Sequence, residues 1–126
     1  MSYKDKSYLI IDDMKVCRNI LKDILENFGV SPENIHQAFN GKDAIKKLDA
    51  IPIDLIICDW NMPEMNGLDF LKYCKSSEYF MNKPFFMLTA EADKENIVEA
   101  MDLGVTAYLL KPIQKDQLFS KIISLF

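Results

Sequence analysis

Several residue types that build cofactor and metal sites are scarce in this chain. The three cysteines, Cys17, Cys58 and Cys74, are odd in number and form neither a CxxC pair nor a Cys/His zinc spacing. No disulfide framework or zinc site follows, and buried reduced thiols are expected. The one histidine, His36, lies in a strand-like stretch without a helical phosphotransfer context and is assigned no function. Four glycines in 126 residues include no GxxxxGK[ST] phosphate loop. No apolar run approaches the roughly 20 residues of a membrane helix, and Tyr8 to Ile11 is too short for a signal-peptide core. Cations are outnumbered, with 15 Lys and Arg against 19 Asp and Glu, a net charge of -4 and a pI near 4.9. Unaided binding to nucleic acid, which needs clustered cations, is disfavoured. The expectation is a cytoplasmic protein whose partners are proteins or small molecules, not nucleic acid or membrane.

What the chain does have is a core. With 49% hydrophobic and 27% charged residues, it can bury an apolar interior under a solvated surface, and residues 1–126 fit one domain. Two periodicities alternate along it. Tyr8 to Ile11, Ile35 to Phe39, Leu55 to Cys58, Phe85 to Leu88 and Ala107 to Leu110 read as strands. Helical spacing links Val16, Ile20, Leu21, Ile24, Leu25 and Phe28, and then Ala44, Ile45 and Leu48. It returns in Leu68, Leu71 and Cys74, in Ile97, Val98, Ala100 and Met101, and in Leu118, Ile122 and Leu125. Gly29, Asn40-Gly41, Pro52, Pro63 and Gly67 punctuate the pattern. Five strands alternating with five helices predict an α/β fold with a doubly wound parallel sheet, right-handed crossovers and strand order 2-1-3-4-5.

Four of these strands are followed at once by reactive side chains: Asp12-Asp13, Asp59, Thr89 and Lys111. Carboxyl ends of parallel strands share one edge, and in this order strands 1 and 3 part at the switch point, bringing Asp12, Asp13 and Asp59 into one crevice. Three carboxylates there repel and desolvate each other, and Lys111 alone does not neutralise them. A hard divalent cation does, and Mg²⁺ suits one or two carboxylates, waters and a phosphate oxygen. Asp12, Asp13 and Asp59 are therefore expected metal ligands. An Asp59 oxygen is placed to attack a phosphoryl group in line and become an aspartyl phosphate, with the Thr89 hydroxyl and Lys111 ammonium on the other phosphoryl oxygens. Each residue alone has a plainer reading: Asp12-Asp13 as a helix N-cap, Asp59 as a turn residue, Thr89 as a cap, Lys111 as a solvated charge. Their joint placement at four strand ends sets them apart.

The runs Asp12-Asp13, Asp59-Trp60-Asn61-Met62-Pro63, Gly67, Thr89-Ala90-Glu91 and Lys111-Pro112 resemble bacterial response-regulator receiver domains over nearly the whole chain. The likeness is strongest to the CheY-like, single-domain chemotaxis branch, from Asp59 to Leu71 and from Thr89 to Ile97. It implies a flavodoxin-like fold that takes phosphate onto Asp59 from a sensor histidine kinase in a Mg²⁺-dependent step. Such a protein is a phosphoacceptor that catalyses its own phosphorylation and dephosphorylation, not an enzyme for a separate substrate. The resemblance further implies that Asp13, Asp59 and the Asn61 backbone carbonyl ligate Mg²⁺, with Asp12 acting largely through water, and that the Lys111-Pro112 bond is cis. Asn61 and Glu91 would tune hydrolysis of the phosphoryl group toward a short lifetime. Thr89 and Tyr108 would form a switch that remodels an output face of Ala92, Lys94, Ile97, Tyr108 and Lys121. A downstream protein would read that face, a flagellar motor switch being the chemotaxis candidate.

Asp93 stands where the chemotaxis branch is basic, and Met14, Asn66 and Ile113 also depart from common choices. Asp93 bears on docking to a motor switch, and none of the four removes a chemical group. Two other classes differ at identifiable places. A metal-dependent phosphatase or phosphotransferase of the haloacid-dehalogenase type needs a second Asp where Asn61 stands. An FMN carrier needs a phosphate loop where Asp12 and Asp13 would repel the cofactor. A receiver excised from a larger regulator reads the same from within, and the stand-alone form is the expectation.

Overall fold

Apolar runs able to be buried on both faces become the inner strands. β1 (Tyr8–Ile11), β3 (Leu55–Asp59) and β4 (Phe85–Thr89) are buried at every position, whereas β2 (Ile35–Ala38) and β5 (Ala107–Leu110) are partly open and take the edges. The computed structural model describes residues 2–90 and 94–126. Its sheet is parallel throughout, in the order β2-β1-β3-β4-β5 expected from the sequence. The helices are α1 (Lys15–Asn27), α2 (Gly41–Ala50), α3 (Gly67–Ser76), α4 (Lys94–Asp102) and α5 (Lys115–Leu125).

Side-chain alternation divides the interior into two layers. Leu9, Ile11, Ile56, Cys58, Phe85 and Met87 pack with Ala44 and Leu48 of α2, Leu68, Phe70 and Leu71 of α3 and Ala100 of α4. Tyr8, Ile10, Leu55, Ile57, Phe86 and Leu88 pack with Leu21, Ile24 and Leu25 of α1 and Leu118 and Ile122 of α5. Each fully buried Leu, Ile or Phe contributes roughly 1.5–3 kcal/mol, which is why the helix stripes hold the sheet from both sides.

The boundaries differ from expectation in small, physical ways. Asp59 and Thr89 are the last residues of β3 and β4, still paired in the ladder, instead of the first residues after them. β2 stops at Ala38, because Phe39 donates its N–H to the Asp43 carboxylate while the Asn40 side chain caps α2 by accepting from the Asp43 N–H. Two short 3-10 turns, Tyr3–Asp5 and Pro32–Asn34, are too brief to show a hydrophobic period. Gly29 ends α1 at φ 101°, a left-handed cap that the missing Cβ permits. Gly67 has another reason: a Cβ there would stand 2.5 Å from the Asp59 carbonyl oxygen, so its absence lets α3 start hard against the end of β3.

Candidate functional site

Strand register sets the levels of the side chains at the carboxyl edge. Ile11 lies opposite Cys58, so Asp12 emerges level with Asp59. Asp59 lies opposite Leu88 and Thr89 opposite Leu110, which carries Lys111 to the same rim. Carboxylate oxygens of Asp12, Asp13 and Asp59 come within 4.8 Å of one another, with Asp12 and Asp59 buried and Asp13 exposed. Lys111 reaches between two of them, its Nζ 3.1 Å from Asp59 Oδ1 and 3.3 Å from Asp12 Oδ2. The Lys111-Pro112 bond is cis, as the resemblance implied.

Burial and repulsion set the protonation behaviour. Burial first, then the neighbouring Asp12 charge, pushes the Asp59 carboxyl up, and Lys111 only partly opposes this. Beneath the acids an apolar cavity of about 310 Å³ lies between α1 and the start of α5, bounded by Ile20, Leu21, Ile57, Leu88 and Ile113. Burial alone would lower the Lys111 ammonium, but its bonds and attraction to Asp59 and Asp12 outweigh that, so it is raised and stays charged.

Three carboxylates against one ammonium leave the cluster short of positive charge, and the donors are all hard oxygens in reach of one another. Asp13 also shares an open depression with Asn61, Met62, Pro63 and Asn66, which opens Asp13 to solvent on that side. The residues therefore fit a hydrated divalent cation such as Mg²⁺ better than a softer metal. The helix-cap reading of Asp12-Asp13 does not apply. The N-cap of α1 is Met14, without a side-chain cap bond, and Asp12 Oδ1 instead accepts the Met14 N–H at 2.9 Å.

The remaining singled-out residues fall at several depths. Thr89 is fully buried at the end of β4. Tyr108 is partly buried on β5, its ring edge-on to Trp60 with centroids 6.3 Å apart. Lys94 and Lys121 are exposed and Ile97 half-buried, on α4 and α5. Glu91, Ala92 and Asp93 lie outside the described residues. His36 sits in β2, and Cys58 and Cys74 are buried, the Cys74 thiol pushed up to about 12 by burial. No spacing pointed to Arg18, whose guanidinium donates to the Asp12 carbonyl at 2.7 Å. A cation near the N-terminus of α1 does not single it out, because Lys15 stands closer to that end.

Among the described residues no helix is long and apolar enough to cross a membrane. The family model for the response regulator receiver domain matches residues 8–123. Chemotaxis protein CheY-3 of Vibrio cholerae is 37% identical over 123 residues, covering 98% of this chain and 93% of that protein. A solved structure of Vibrio cholerae chemotaxis protein CheY4 superposes with a TM-score of 0.86 at 28% identity, covering 96% of this chain and 98% of the other. The receiver domain of a signal transduction histidine kinase from Syntrophus aciditrophicus gives 0.84 at 29% identity, covering 95% and 89% respectively.

Proposed function

The chain belongs to the response regulator receiver family, and from that membership we propose that it is a two-component phosphorelay regulator that accepts a phosphoryl group on Asp59 from a sensor histidine kinase in a Mg²⁺-dependent step. The observation that carries this reading is the placement of Lys111 across Asp59 and Asp12 beside a third carboxylate, Asp13.

Asp12, Asp13, Asp59 and the Asn61 backbone carbonyl would hold the cation, Asp12 largely through water. Bound Mg²⁺ supplies positive charge against the carboxylates and the phosphoryl oxygens. An Asp59 carboxylate oxygen forms the new P–O bond, and the P–N bond to the donor imidazole breaks with its electron pair returning to that nitrogen. Lys111 turns its ammonium to a phosphoryl oxygen, and Thr89 donates its hydroxyl to another. Thr89 and Tyr108 then shift the population toward an active arrangement of α4, β5 and α5, where Ala92, Lys94, Ile97, Tyr108 and Lys121 meet a downstream protein. Asn61 and Glu91 govern return by hydrolysis, giving a short-lived state. In this reading residues 1–126 act as one receiver unit in the cytoplasm, and the substrate is the chain itself.

Likeness to the Vibrio cholerae chemotaxis proteins supports a chemotaxis role, with a motor switch as the candidate target. Likeness to the receiver of a histidine kinase supports a second reading, a receiver unit of a larger signalling protein. Trp60, the sole tryptophan and next to Asp59, tests the common core of both. Its emission is expected to change on adding MgCl₂ and again on adding acetyl phosphate, with the second change lost in Asp59→Asn. A wild-type protein silent to both additions, and without a phosphoryl adduct, would sink the proposal.

A further inference from the structure

We propose that Arg18 is a positioning residue for the acid cluster: its guanidinium locks the Asp12–Asp13 peptide unit in the orientation that presents Asp13 to a divalent cation. This rests on the cation-binding reading above. Arg18 lies near the N-terminus of α1, a helix with no acidic residue in its first turn, where aligned N–H dipoles make a cation unfavourable. One guanidinium nitrogen donates to the Asp12 carbonyl at 2.7 Å, and Nε donates to Gln37 Oε1 at 3.1 Å. The planar fork thus spans the end of β1 and the edge strand β2, which a single ammonium cannot do with the same geometry.

Every other polar group of Asp12 is already engaged. Its N–H donates to the Ala38 carbonyl at 3.1 Å, Oδ1 accepts from Met14 N–H at 2.9 Å, and Oδ2 accepts from Lys111 at 3.3 Å. The carbonyl is the group left over, and Arg18 takes it. That carbonyl shares a rigid plane with the Asp13 N–H, so fixing it fixes where the Asp13 backbone begins. Asp13 depends on this, because its carboxylate is exposed and makes no hydrogen bond or salt bridge among the described residues. The far anchor is firm too, since the Gln37 carbonyl accepts from Lys47 Nζ at 2.9 Å.

MgCl₂ titration of the full chain, read by Trp60 emission with thermal unfolding in parallel, tests this. Arg18→Ala is expected to raise the Mg²⁺ Kd about tenfold, the scale seen when a group that orients a metal ligand is lost. Phosphorylation by acetyl phosphate should fall at low Mg²⁺ and recover at saturating Mg²⁺. Arg18→Lys, which keeps the charge without the fork, should stay weakened, and Gln37→Leu should weaken binding less. Wild-type Mg²⁺ affinity in Arg18→Ala, with only the melting temperature lowered, would overturn the proposal and leave Arg18 a stitch between α1 and the sheet. Full recovery in Arg18→Lys would overturn the role of the fork. Should Arg18→Ala fail to fold, wild-type affinity in Gln37→Leu overturns the proposal instead. Absence of Mg²⁺ binding in the wild type overturns the cation site itself, and this inference with it.

Discussion

Asp59 is held in conflicting conditions: buried at the end of β3, facing Asp12, and answered by one lysine. Such a carboxylate costs stability. Its folded pKa lies above the ordinary 3.8, so the folded chain holds that proton more tightly than the unfolded one. The Asp59 contribution is therefore most favourable below pH about 4 and is lost as pH rises through the raised folded value. Asp59→Asn is expected to melt on the order of a few degrees higher than wild type at pH 7 in EDTA. The gap should close toward pH 4 and narrow with MgCl₂, and a lower melting temperature for the variant at pH 7 would contradict this. Asp12 with Asp13, Asp59 and Lys111 were legible in the sequence because each of these one or two residues directly follows an apolar run. Arg18 was not, because its partners are a main-chain carbonyl and a side chain on another strand, which no spacing marks.

At the level of elements, the strands and helices could be read because burial imposes a period, and their ends could not because single hydrogen bonds decide them. Phe39 left β2 for a bond to Asp43, and Asp59 and Thr89 stayed inside their ladders. The start of α3 shows how such details position the site. Asn66 caps it by accepting from the Asp69 N–H at 2.8 Å, and Gly67 donates its N–H to the Trp60 carbonyl at 2.7 Å. Asn66→Ala is expected to cost about 1 kcal/mol in urea unfolding. Gly67→Ala should cost more, about 2–3 kcal/mol, because the added Cβ meets backbone atoms of Asp59 and Trp60 that cannot turn aside. Gly41→Ala meets only the flexible Met65 side chain and should cost less than Gly67→Ala. Equal losses at the two glycines would show that the β3–α3 junction yields more readily than its close contacts suggest.

For the molecule as a whole, strand order was legible because five strand and helix periods alternate, and that order brings Asp12, Asp13 and Asp59 together at the ends of strands 1 and 3, where an open sheet changes direction. What alternation does not mark is contact between distant side chains, such as the edge-on meeting of Trp60 and Tyr108 that joins the residue after Asp59 to β5. The same sheet thus carries an acid cluster at its carboxyl edge and, on β5, an aromatic ring edge-on to Trp60, the residue after Asp59. The central claim is that Asp59 accepts phosphate, and intact mass spectrometry after incubation with MgCl₂ and acetyl phosphate tests it most directly. One Mg²⁺-dependent phosphoryl adduct is expected, labile to hydroxylamine and absent from Asp59→Asn. No adduct on the folded wild type, together with failure to bind beryllofluoride, or an adduct that persists in Asp59→Asn, would contradict the account.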